Sequence, residues 1–333
     1  MKEKGLIKIL VCICLVLALA IPFTSGCGPA TKYKIGISQI VTHPALDATR
    51  EGIIAGLAEK GYVEGDNLEI DYQNSEGDMT LVASIAQKFV SDKVDAIVSI
   101  ATPNSLAAID AAKGTDIPVI FSAITDPAGS GMVTDWDNHP NENVTGVSDM
   151  IVVQDDVQLI TQIVSNVKKI GTLYNAGEAN SVFLTSKLKE ACNALDIEVV
   201  ESTVSTSADV LAAAQALVGR GVDAIWVGTD NTVVSGLEAL IKVCEDNQIP
   251  LFPSDEPSIE RGGIAAYGFD YYDIGLQTGY MVARVLEADD GAVSIPVEKG
   301  EIISLSINTA AAQRMGVTIP QALLDIAVTI YEE

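Results

Sequence analysis

The feature that most constrains this chain is the alternation of short β-branched runs with helical stretches, which begins at residue 33 and continues almost to the C-terminus. Residues 33–40, 68–72, 96–100 and 119–122 read as strands, with helices over 45–60, 79–91 and 103–113 between them. Gly61 offers a left-handed cap to the first of these helices. Strands separated by helices of this length imply right-handed parallel βαβ units, and so a doubly wound α/β sheet. The pattern breaks over 126–143, which holds Pro127, Gly129, Gly131 and Pro140, and restarts with a strand at 144–148. Helices at 152–167, 181–194, 208–219, 231–247 and 271–287 then alternate with strands at 169–174, 198–202, 224–227, 251–254 and 263–267, and segments 302–307, 310–315 and 321–331 close the chain. The expectation is two similar α/β lobes in series, with a tail that returns. Ligands of open α/β sheets bind beyond the strand C-terminal edges, and a cleft between two such lobes is a common site.

Ahead of this region, Lys2, Lys4 and Lys8 precede an uncharged apolar run over 9–23, and Thr24, Ser25 and Gly26 lead to Cys27. A basic start, an apolar centre and small residues before a cleavage point describe a secretory leader. The run is short for a bilayer, which needs ~20 residues. A Cys at the cleavage point resembles the bacterial lipoprotein signal. That resemblance implies a signal peptide over 1–26, a lipidated Cys27 and a tether over 27–31, so that the folded part works outside the cytoplasm, anchored by acyl chains.

The 333 residues carry a formal charge of −25, and losing the leader, with its three lysines and one glutamate, leaves −27. Such a surface repels nucleic acid and anionic headgroups, so no nucleic-acid partner is expected. The acidity is dispersed and reads as solubility. Beyond Cys27 only Cys192 and Cys244 remain, both in helix-like stretches, and buried free thiols are expected there. With two histidines and no CxxC or HExxH, neither a metal site nor any other cofactor is expected. No GxGxxG follows the first strand, and no phosphate-binding loop or GxSxG elbow occurs. An enzyme is not expected. His43 and His139 each precede a proline and read as loop histidines, the first a possible ligand wall, the second exposed. Trp226 reads as core.

The strand ends carry the chemistry. Ser38, Gln39 and His43 follow the first strand, Thr102-Pro103-Asn104-Ser105 the third, and Thr125 the fourth. Thr102 is a good N-cap with Pro103 as first helical residue, which leaves N–H groups at 104 and 105 free for an anion. In the second half Asn180, Thr229, Asp230 and Asp255 occupy the equivalent places. Any one of these is more often a helix cap than a ligand contact. Their recurrence at the strand ends of both lobes lifts the functional reading. Donors for an anion and acids for a cation in one site suit a zwitterion such as an amino acid.

Several stretches resemble the bacterial ABC-transporter substrate-binding lipoproteins of the tryptophan/tyrosine-importer type. They are YKIGISQIVTHPALDATREGIIAGLAEKGY (33–62), ATPN (101–104), AITDP (123–127), TGVSD (145–149), LYNAGEANSV (173–182), GTDNTVVSG (228–236), SDE (254–256) and YGFDYYDIG (267–275). The resemblance implies a type I periplasmic-binding-protein fold, in which two lobes joined by three crossovers close on the ligand. The crossovers would fall near 148–150, 267–271 and 301–307. The N-terminal lobe would then comprise 32–149 with 270–300, and the C-terminal lobe 150–269 with 301–333. It implies an aromatic amino acid as ligand, a membrane permease and its ATPase as partners, and a monomer. On this basis Thr102, Ser105 and Thr125 would receive the ligand carboxylate. Asp230 and Asp255 would hold its ammonium with Asn180 and Thr229, and Ser38, Gln39 and His43 would line the side-chain wall. Tyr174, Tyr271 and Phe121 are the candidates for stacking. The alternatives are a ligand sensor of the same fold that feeds a membrane signalling protein, and a receptor for a branched-chain amino acid or a nucleoside.

Overall fold

The computed structural model describes residues 32–137, 143–301 and 303–332. The leader, Cys27 with its tether, and His139 lie outside them. In chain order β1 (Tyr33–Gln39), α1 (Pro44–Glu59), β2 (Leu68–Asn74), α2 (Met79–Ser91), β3 (Ala96–Ile100), α3 (Thr102–Ala112), β4 (Val119–Ile124) and β5 (Val144–Ser148) form the first run. The second run comprises α4 (Val153–Ile163), β6 (Lys169–Asn175), α5 (Ala179–Asn193), β7 (Glu198–Val204), α6 (Val210–Gly219), β8 (Ala224–Val227), α7 (Asn231–Ser235), α8 (Leu237–Asn247), β9 (Leu251–Pro253) and α9 (Glu256–Arg261). Then follow β10 (Ala265–Phe269), α10 (Tyr271–Glu287), β11 (Glu298–Lys299), β12 (Ile303–Asn308), α11 (Thr309–Arg314), α12 (Gln321–Leu324) and β13 (Thr329–Tyr331).

A six-stranded parallel sheet has the order β11-β5-β4-β3-β1-β2, and a four-stranded parallel sheet the order β7-β6-β8-β9. β10, β12 and β13 make a third, mixed sheet. Both parallel sheets reverse direction at their first strand, with β1 between β2 and β3 and β6 between β7 and β8. Those reversals are the switch points at which open α/β sheets leave a crevice. Every residue of β3, β4, β5 and β8 is buried, which is the pattern of strands covered on both faces. The chain leaves the six-stranded sheet after Ser148, returns through α10 and β11, and departs again for β12.

Two helices are clamped together by small residues. A Cβ on Gly52 of α1 would lie 2.1 Å from the Tyr272 carbonyl oxygen, and one on Gly275 of α10 would lie 2.2 Å from that of Thr49. Only glycine permits backbones to approach this closely. The contact matters because α1 begins beside His43 and α10 begins at Tyr271.

The sequence expectation misses some boundaries. The helix expected over 231–247 divides at Gly236, where a Cβ would meet the Ser207 carbonyl at 2.8 Å. α9 and the two-residue β11 were not expected. Cys192 and Cys244 are buried free thiols, and burial pushes both up to about 12. Trp226 is core, and its indole N–H donates to Asp156 Oδ2 at 3.0 Å, which also accepts from the Ser254 hydroxyl at 2.8 Å. Burial pushes Asp156 up to about 7. Among the described residues, no helix is long and apolar enough to cross a membrane.

Candidate functional site

The C-terminal edges of the two parallel sheets face a shared cavity, part of it open to solvent. From the first sheet come His43 after β1, Thr102 after β3, Thr125 after β4 and Asp149 after β5. From the second come Asn180 at the start of α5, Thr229 and Asp230 after β8, Asn231 at the start of α7, and Asp255 after β9. Tyr271, the first residue of α10, completes the polar lining, and Ala45, Leu46 and Val234 supply apolar wall. Two hydrogen bonds join the sides: Thr125 Oγ1 to Thr229 Oγ1 at 3.3 Å, and His43 Nε2 to Asn231 Oδ1 at 3.5 Å.

Two backbone positions at the rim are strained. Ala101 has φ +73° and Ala123 φ +56°, a region that residues with a Cβ seldom adopt. Each costs on the order of 1–3 kcal/mol, and such strain clusters at ligand sites. Ala101, rather than Thr102, takes the N-cap position of α3, with ψ +158°. Thr102 thereby becomes the first helical residue, with its side chain on the cavity.

The electrostatics favour a cation. Asp149 and Asp255 are both about 3% exposed. Asp149 Oδ2 accepts from the Tyr271 hydroxyl at 2.9 Å, and Asp255 Oδ1 accepts from the Ser258 N–H at 3.0 Å. Their other oxygens, Asp149 Oδ1 and Asp255 Oδ2, are buried without a partner, as are Asn180 Oδ1 and His43 Nδ1. Buried polar atoms are rarely left unpaired, so four unpaired atoms on residues of one cavity mark a place made for donors. Burial pushes Asp149 up to about 6, opposed by the Tyr271 hydrogen bond, and burial likewise raises Asp255. A cation would reverse both shifts.

Of the residues expected at the site, His43, Thr102, Thr125, Asn180, Thr229, Asp230 and Asp255 line the cavity. Ser105 does not. Its hydroxyl turns inward to Ser99 Oγ at 2.9 Å and the Ala101 carbonyl at 3.0 Å, and its N–H is spent on Ala101. Gln39 does not line it either; its amide N–H groups donate to the Val41 carbonyl and to Asp47, both at 2.8 Å. Ser38 is buried within β1. Asp230 lines the cavity, but both its oxygens are used, by the Asn175 N–H at 2.6 Å and the Val233 N–H at 2.8 Å. It caps α7 through these bonds, and burial, with Glu178 beside it, pushes its carboxyl up to about 7. Of the stacking candidates only Tyr271 reaches the cavity; Tyr174 donates to Glu201 and Phe121 is core. Asp149 and Asn231 were missed. Asp149 ends the TGVSD stretch one residue beyond β5, so the strand-end test that found the others also applies to it.

The family model of ABC transporter substrate binding proteins matches residues 34–330, and the chain belongs to that family. The family's role is to bind a substrate, and its fold is that of type I periplasmic binding proteins. A tyrosine-binding protein from Clostridioides difficile (strain R20291) is 41% identical over 275 residues, 83% of this chain and 78% of that one. The solved ABC domain from Streptococcus pneumonia in complex with L-Trp is 36% identical, covers 90% of this chain and 100% of its own, and superposes with a TM-score of 0.85. The ligand-free, open structure of a Clostridium difficile substrate-binding protein with adhesive properties is 34% identical, with the same coverage and a TM-score of 0.66.

Proposed function

We propose that this binding protein captures an aromatic L-amino acid in the interlobe cavity and presents it, in a closed form, to a membrane permease driven by an ATPase. The observation that carries this reading is the pair of buried carboxylates with one unpaired oxygen each, Asp149 Oδ1 and Asp255 Oδ2, joined by the unpaired Asn180 Oδ1. Three acceptors match the three hydrogens of an α-ammonium. The Thr102, Thr125 and Thr229 hydroxyls and the start of α3 would receive the carboxylate, where a helix N-terminus favours an anion. Two relatives, one named for tyrosine and one solved with L-Trp, support the aromatic class.

The lobes in this reading are 32–149 with 270–300, and 150–269 with 301–333. The path of the chain between the sheets supports that division. Anchoring through lipidated Cys27 rests on the leader sequence.

A thermal-shift screen of the purified protein against the standard amino acids, nucleosides and sugars tests the reading. A ligand at 100 times its Kd should stabilise by ≈ 2.7 kcal/mol. Tyrosine, tryptophan or phenylalanine should give the largest shift. A larger shift with leucine or a nucleoside, and none with the aromatic amino acids, would replace this ligand class with another.

A further inference from the structure

The cavity holds one more buried acceptor than an ammonium can satisfy. With Asp149 Oδ1, Asp255 Oδ2 and Asn180 Oδ1 assigned to the three N–H bonds, His43 Nδ1 is left over. Hydrogen bonds from the second sheet fix its state. Glu178 accepts from the Thr232 N–H at 3.1 Å, the Thr232 hydroxyl at 2.7 Å and the Asn231 N–H at 3.2 Å. The Asn231 atom 2.6 Å from Glu178 Oε2 is therefore its Nδ2 amide, a donor. That turns Asn231 Oδ1 toward His43 Nε2 at 3.5 Å. An amide oxygen cannot donate, so this contact is a hydrogen bond only in the tautomer with the proton on Nε2, and in that tautomer Nδ1 presents a bare lone pair. Burial lowers the imidazole to about 4, so the ring stays neutral near pH 7.

We propose that His43 Nδ1 is a specificity-determining acceptor that takes the hydrogen of a donor on the ligand side chain, a phenolic O–H or an indole N–H, and so selects tyrosine and tryptophan over phenylalanine. The proposal rests on the amino-acid reading above. His43 enters the cavity after β1 and Asp149 after β5, with β3 and β4 between those strands in the sheet. Three strand spacings separate β1 from β5, roughly 14 Å at ~4.8 Å each. The ammonium at Asp149 and a donor at His43 thus lie on opposite sides of Thr102 and Thr125. His43 is itself 8% exposed, so a ligand that leaves Nδ1 unpaired in the closed form bears the full desolvation of that atom.

Calorimetry on the full chain with L-tyrosine, L-tryptophan and L-phenylalanine tests it. Phenylalanine should bind at least about tenfold more weakly than the other two, in line with an unpaired buried acceptor. His43→Leu should bring the three affinities within about threefold of one another by weakening tyrosine and tryptophan, whereas His43→Asn, which places an amide oxygen near the Nδ1 position, should keep part of the preference. Should His43→Leu fail to fold, Asn231→Ala frees the tautomer without touching Nδ1, and the preference must fall there too. Equal affinities in the wild type, or a preference unchanged in these variants, overturn the role of His43 and leave the amino-acid reading intact. Failure of all three amino acids to bind overturns both.

Discussion

Asp149 is the proposed partner of the ligand's ammonium, and its surroundings set its charge. Burial pushes its carboxyl up to about 6, with Tyr271 and Asp255 as the groups facing it. In the empty cavity the group therefore holds its proton to a higher pH than an ordinary carboxyl, while an ammonium pairs with the ionised form. The sign follows directly: affinity for an amino acid falls as pH drops below about 6 and levels off above about 7. Calorimetry at pH 7.5 and pH 5 should differ by roughly tenfold, the expectation for one proton taken up one unit below its pKa. Asp149→Asn should bind weakly and lose the part of the pH dependence centred near 6, while Asp230 and Asp255, also raised by burial, remain; a variant that keeps both affinity and slope would remove Asp149 from the ammonium site. Asp230, a strand-end acid that burial and Glu178 push up to about 7, differs in that a backbone N–H group binds each of its oxygens. Asp230→Ala should cost about 1–2 kcal/mol of stability through the lost cap, read as a lower denaturation midpoint. Affinity should suffer far less than it does in Asp149→Asn.

The pairing of α1 with α10 governs how well the site is held. Gly52, Gly56, Gly275 and Gly279 meet across this contact, and the same two helices carry Leu46 and Tyr271 to the cavity. Thr278 adds a hydrogen bond from α10 to Ser122 of β4 at 2.7 Å. Gly52→Ala drives a methyl against a backbone carbonyl, which cannot rotate away. It should destabilise by about 1–3 kcal/mol, the cost of overpacking, and should also weaken ligand binding because α10 is displaced with its Tyr271. A thermal midpoint equal to that of the wild type would show that the helices can separate without cost.

The site is built from two parallel sheets whose first four strands follow the same order, β2-β1-β3-β4 and β7-β6-β8-β9, set so that their C-terminal edges face one cavity. The closer overlay on the L-Trp complex than on the open, ligand-free relative, at nearly equal identity, supports a closed arrangement here. The bonds His43–Asn231 and Thr125–Thr229 cross the cavity in that state. Two weak contacts do not hold a cleft shut alone, and under the proposed function ligand binding supplies the differential free energy of closure. Small-angle scattering should then show a larger radius of gyration without ligand and a fall on adding a bound amino acid. An unchanged radius would mean that the lobes are fixed.

The alternation of strands and helices, and with it the parallel α/β class, was legible in the sequence because buried parallel strands need continuous β-branched runs and their crossovers need helices of set length. The polar strand ends were legible for the same reason, since the residue after a strand of such a sheet points to the crevice. Which of them face the ligand was not. Asp149, Asp230 and Asp255 look alike in sequence; only the folded chain shows a backbone N–H on each oxygen of Asp230, and Asp149 and Asp255 each with one oxygen unpaired. Ser105 and Gln39 do not line the cavity because their side chains turn to partners within 8 residues along the chain, Ser99 and Ala101 for the one and Val41 and Asp47 for the other, and no residue pattern states which way a side chain turns. Secondary structure and strand-end chemistry follow from periodicity, whereas the satisfaction of each polar atom depends on distances between segments far apart in the chain, which tertiary packing alone sets.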